Sequence, residues 1–128
     1  MKLVVLAVVI LTILPASAEP RQCKNSSTIV GACFMVHGEV SWGFGNPSLR
    51  IWPIGTKRIL GVTAGPSADE SEDPIAPKEM WKFDPSVEAL FGDFEVCPFT
   101  LERKGHMQMV CVESAKKLVV KRRPPNQR

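Results

Sequence analysis

Two histidines, His37 and His106, each have a glutamate close by in the chain, Glu39 and Glu102. A histidine beside a carboxylate can carry protons in general acid–base catalysis. On an exposed strand face, though, such a pair is far more often a surface contact. The second group is aromatic and basic: Arg50 and Trp52 stand two residues apart, and Trp42 and Phe44 precede them in HGEVSWGFGNPSLRIWPIGTKRILGV, residues 37–62. An aromatic plane flanked by cations can stack a sugar or a base. The candidate binding residues are therefore His37, Glu39, Arg50, Trp52, Trp42 and Phe44. No catalytic residue is assigned, because the chain has no G-x-S-x-G, P-loop, H-E-x-x-H or EF-hand spacing.

Cysteine chemistry narrows the class further. Cys23, Cys33, Cys97 and Cys111 are separated by 10, 64 and 14 residues, so no C-x-x-C pair is present and structural zinc is not expected. The acidic run ADESED lacks the ordered donors and the turn glycine of a calcium loop, and reads as a solvated loop. No cofactor and no metal are expected. An even cysteine count instead implies disulfides, which persist in oxidising compartments.

Export is also what the N-terminus suggests. Lys2, an apolar stretch over residues 3–14 and Ala16-Ser17-Ala18 make a charged, an apolar and a cleavage region. Twelve apolar or near-apolar residues are too few for a membrane span of about 20. The expectation is a signal peptide over 1–18 and a periplasmic or secreted mature chain without a transmembrane segment. Formal charge is +3, or +2 without Lys2, so bulk electrostatics decide little. The end of the chain is locally basic, with Lys116, Lys117, Lys121, Arg122, Arg123 and Arg128, and reads as a solvated tail over 116–128.

Strands must position the candidate residues. Arg103-Lys104-Gly105 suits a hairpin loop with glycine in the left-handed position, and folding there opposes residues whose numbers sum to 208. Cys97 then faces Cys111, Phe99 faces Met109 and Leu101 faces Met107, a wholly apolar face taken as core. That register expects a Cys97–Cys111 disulfide and, by elimination, Cys23–Cys33. Cys23 could instead reach across to a strand of the barrel.

The turn at Ile54-Gly55-Thr56-Lys57 opposes residues summing to 111, and the loop at Trp42 to Pro47 opposes residues summing to 89. Val40, Leu49, Ile51, Leu60 and Val62 fall on one apolar face. Glu39 against Arg50 and His37 against Trp52 fall on the other. The 28 residues 63–90 form a long connection, in which Asp84-Pro85 looks like the start of a short helix reaching residue 90. Its Met80-Trp81-x-Phe83 run needs burial and is expected to cover Trp52.

Three strands, a short helix and two strands make a mainly β, five-stranded OB-like barrel over 33–115, preceded by an N-terminal segment over 19–32. Residues 117–121 offer a further strand. The alternative, a β-sandwich, needs two or three more strands. The runs CFMVHGEVS, NPSLRIWPIGTKRILGV, GDFEVCPFT and HMQMVCVESA resemble a family of short exported bacterial proteins without an assigned activity. The resemblance covers most of residues 33–115. It implies export and a shared fold and carries over no site residue. The function expected is a non-catalytic envelope binding module for an anionic glycan, a lipid headgroup or another envelope protein. The alternative is a structural or protein-interaction factor of the periplasm.

Overall fold

The computed structural model describes residues 2, 4, 9–15, 22–43, 45–69 and 71–125. The expected cleavage site at residues 16–18, Phe44, Glu70 and Arg128 lie outside the described residues. Residues 9–15 form neither helix nor strand, and their side chains are exposed. Among the described residues no helix is long and apolar enough to cross a membrane.

Among the described residues five strands ring round: β1 (Phe34–Trp42), β2 (Leu49–Pro53), β3 (Leu60–Val62), β4 (Glu88–Pro98) and β5 (Gln108–Arg122). Their order is β1-β2-β3-β5-β4, with β4 returning to β1 and β3 running parallel to β5. This is the OB-like arrangement expected. β1 closes the ring because it is long enough to pair with β2 over Gly38 to Trp42 and with β4 over Phe34 to Val40. Gly38 stands where the two pairings overlap, opposite Pro53 and Gly92. A methyl group on Gly38 would lie 2.6 Å from Ile51 Cγ2, so close approach of the strands requires glycine here.

Period-two alternation along β1 and β2 turns Val40, Leu49 and Ile51 inward, where Leu60, Val62, Leu90, Phe94, Val96, Val110 and Val112 complete the core. Full burial of a side chain of this kind contributes roughly 1.5–3 kcal/mol. The five core residues read from residues 37–62 are all fully buried.

Three details differ from the sequence reading. First, the β1–β2 register sums to 91, not 89: Glu39 opposes Trp52, and Ser41 opposes Arg50. A sum of 89 would put Pro47 in the ladder opposite Trp42, where it has no N–H to give. Gly43 and residues 45–48 instead belong to the loop, closed by Gly43 N–H donating to Ser48 O (2.8 Å), and the buried Pro47 ring packs over Gly61. A shift of two preserves every side chain's face, so the core survives while the outer partners change.

Second, no helix forms over 84–90. Asp84 does open a single turn: its carboxylate accepts from Ser86 N–H and O–H, and its N–H donates to Glu88 Oε1. Glu88 then enters β4 opposite Arg122 of β5. β-Branched and aromatic residues on both strands favour the ladder over another helical turn. The helix of the connection is instead a 3-10 helix, Lys78–Trp81, which inserts Met80 into the core.

Third, the β4–β5 register has the expected sum of 208 at Cys97 and Cys111, yet these two do not bond each other. The disulfides are Cys23–Cys111 and Cys33–Cys97. Phe94 and Val96 take the inner face, so Cys97, Cys111 and Phe99 point outward, where the segment before β1 covers them. Leu101, expected in the core, is exposed. The stretch VCPF, residues 96–99, is apolar on both faces, so the cysteine end of β4 did not by itself show which face is inside. β5 also runs through Arg122, absorbing most of the expected tail into a strand.

Candidate functional site

Trp52, on the outer face of β2, is 37% exposed, and its indole N–H donates to Thr56 O (2.8 Å). That bond ties the ring to the β2–β3 turn, where Gly55 has φ 84° and Thr56 N–H donates to Pro53 O. Beside Trp52 lies Glu39, and beyond Glu39 lies Phe91, in directly opposed positions across β2, β1 and β4. The end of β5 closes the patch. Lys121 Nζ stands 5.2 Å from the centroid of the Phe91 ring, and Arg123 Nη2 lies 3.5 Å from Glu39 Oε1.

Together these groups line an open groove of about 540 Å³, with Ser41, Ile59, Ala89, Arg122 and Pro124 completing its walls. Its charges are Lys121, Arg122 and Arg123 against Glu39. The groove thus offers two aromatic surfaces and a cationic rim. The long Arg123–Glu39 contact leaves much of the guanidinium's donor capacity unused.

The six expected site residues divide. Glu39 and Trp52 line the groove. His37 lies further along the outer face, exposed, with Nδ1 2.7 Å from Asp93 Oδ1 and no place among the groove residues. Its partner is therefore Asp93 across β1–β4 rather than Glu39. His106 likewise lacks the expected pairing, because Glu102 lies 3.3 Å from Arg58 Nε.

Arg50 turns toward the β1–β2 loop, donating from Nε to Pro47 O (2.9 Å). Trp42 shares the inner face of β1 with Val40, and its ring centroid is 4.9 Å from that of Trp81. The long connection therefore seats on Trp42 and the core, through Met80, Trp81 and Phe83, and not on Trp52. Phe44 is outside the described residues.

Phe91, Lys121 and Arg123 were missed by the sequence reading, which left Phe91 just past its short helix and Lys121 and Arg123 in a tail with a further strand offered over 117–121. The signal was available in the alternation of Leu90, Gly92, Phe94 and Val96 against Phe91, Asp93 and Glu95.

The sulfurs of Cys23, Cys97 and Cys111 lie within 4.8 Å of one another, a spacing that could hold a metal ion. Both disulfides pass through this cluster and no cysteine is free, so these sulfurs are not thiolate ligands.

The fold and the groove define a class: a small, disulfide-braced, OB-like β ring with an aromatic and cationic outer face. Comparison with protein-family models, with curated proteins and with solved structures gave no match.

Proposed function

We propose that this chain is an exported, non-catalytic binding module that holds an anionic glycan in the groove around Trp52. The observation carrying the reading is the pre-set Trp52 ring beside Phe91, Lys121 and Arg123 in one open groove. Sugar C–H groups are weakly positive and match the negative face of an aromatic ring, while carboxylate or sulfate substituents meet the cationic rim. A ring already fixed by its own hydrogen bond loses little freedom on binding. Two disulfides support an oxidising compartment, in keeping with the leader-like N-terminus.

The protein-interaction reading has a weaker footing. Beyond Val112, whose N–H donates to Ile75 O (2.9 Å), β5 pairs only with β4 among the described strands, which leaves an edge for another chain. That edge carries Lys116, Lys117, Lys121 and Arg122, and the ladder slips near Gly92, close to Lys117 at φ 52°. Lysines and bulges are what blunts an edge against strand addition.

Binding of the oxidised protein to heparin and polygalacturonate, with neutral dextran as control, tests the glycan reading. Trp52→Ala and Lys121→Ala should each weaken capture of the acidic polymers by roughly tenfold, about 1.4 kcal/mol, with the circular dichroism spectrum unchanged. Equal capture by a folded Trp52→Ala variant would remove the groove from the account.

A further inference from the structure

A second groove of about 540 Å³ opens between the β2–β3 loop and the β4–β5 loop. Its charged lining is Lys57, Arg58, Arg103 and Lys104 against the single carboxylate of Glu102, with His106 at the same loop. Arg58 forms the fixed part of this wall: Nη2 donates to Gln108 Oε1 (2.6 Å), and Nε lies 3.3 Å from Glu102. Gln108 is 8% exposed and donates in turn to Thr100 O (3.1 Å), so the anchor is itself held from within the fold. Lys57, Arg103 and Lys104 make no ion pair among the described residues.

Ile59 lines this groove and also the groove of Trp52, so the two adjoin across one residue. The two linings hold seven Lys and Arg against two carboxylates, whereas the whole chain is only +3. The charge of this face therefore exceeds the net charge, and the remainder of the chain sums to net negative. Such a field draws in and orients a polyanion, and one isolated acidic group would need only one of the two grooves.

We infer that the two grooves form one continuous track for a linear acidic polysaccharide, which stacks a sugar at Trp52 and lays further anionic units past Ile59 onto the β4–β5 loop. This rests on the glycan reading above and adds a second subsite to it. Arg103 and Lys104 lie at an exposed loop tip ahead of Gly105, whose φ is 79°, so their side chains can be replaced without touching the core.

The test uses size-defined heparin oligosaccharides, a tetrasaccharide and a dodecasaccharide, titrated into the full oxidised protein at several salt concentrations. Wild-type protein should bind the longer probe roughly tenfold or more tightly, because its second half binds at high effective concentration. The double variant R103E/K104E should lose that gain while keeping the tetrasaccharide affinity, and its salt slope should fall by about 1.5, since each lost contact contributes about 0.7–0.9. Length-independent binding, or a dodecasaccharide affinity unchanged in the double variant, overturns the track while leaving the Trp52 subsite standing. If Trp52→Ala also changes nothing for either probe, the glycan reading itself falls. Oligothymidylate run in parallel decides the polymer class: tighter binding of it with the same dependence on Arg103 and Lys104 overturns the polysaccharide assignment.

Discussion

The outer face of the sheet has two ends built on opposite plans. Near the β4–β5 turn, Cys97, Cys111 and Phe99 are covered by the segment before β1. Ile29, Ile75 and Met109 pack around them, and two disulfides pin that cover down. Lys24 adds two polar ties, from its Nζ to Glu95 (3.0 Å) and from its N–H to Glu113 (2.8 Å). At the other end, Trp52, Phe91 and the last residues of β5 receive no such cover. A five-stranded ring has a small inner core, so capping one outer patch gives it a second one. The patch left open is then the place where aromatic surface is available to something outside the chain.

The largest effect separating the two ends should come from the disulfides. They join residues 88 and 64 apart, and each closes a loop worth about 4 kcal/mol in the chain-entropy model. Cys23→Ala with Cys111→Ala should lower urea-unfolding stability by roughly 2–5 kcal/mol, and non-reducing peptide mapping of the parent should recover the two stated pairs. Recovery of a Cys97–Cys111 peptide would dissolve the covered end as described.

A matched phenylalanine pair sharpens the contrast. Phe99, 3% exposed, should cost roughly 3–5 kcal/mol on replacement by alanine, as for a core aromatic. Phe91 is half-buried at the open end, and its loss should cost only about 1 kcal/mol while weakening polyanion capture. Equal stability losses in denaturant titrations would mean that both ends are core.

The smallest effect concerns acid. Asp84, in the turn that leads into β4 at the open end, is held below its ordinary pKa of 3.8 by the Ser86 hydroxyl and then by the Ser86 N–H. A carboxylate lowered in the folded state stabilises fully above its unfolded pKa, and the contribution disappears as pH falls through the lowered value. Asp84→Asn should therefore lower stability slightly at neutral pH and flatten the acid limb of the stability curve below about pH 4. A marked loss near pH 7 would show that Asp84 supports more than its own turn.

Some of this was legible in the residues. The apolar alternation through Val40, Leu49, Ile51, Leu60 and Val62 gave the right core because burial depends on face, and face survives a register error of two. The glutamate and tryptophan of the groove were found in the same stretch. Phe91, Lys121 and Arg123 were not, because they meet only when the two ends of the β4–β5 hairpin are set against β1 and β2.

Sequence alone determined the order of the five strands along the chain, the hairpin register at Cys97 and Cys111, and the position of the glycine turns, since each follows from local alternation and backbone freedom. Tertiary structure alone decided which cysteines bond, what covers the outward Cys97 and Phe99, and that Met80 and Trp81 seat away from Trp52. Those choices depend on which segment arrives over a two-sided apolar strand, and no local pattern encodes the approach of residues 64 or 88 positions away.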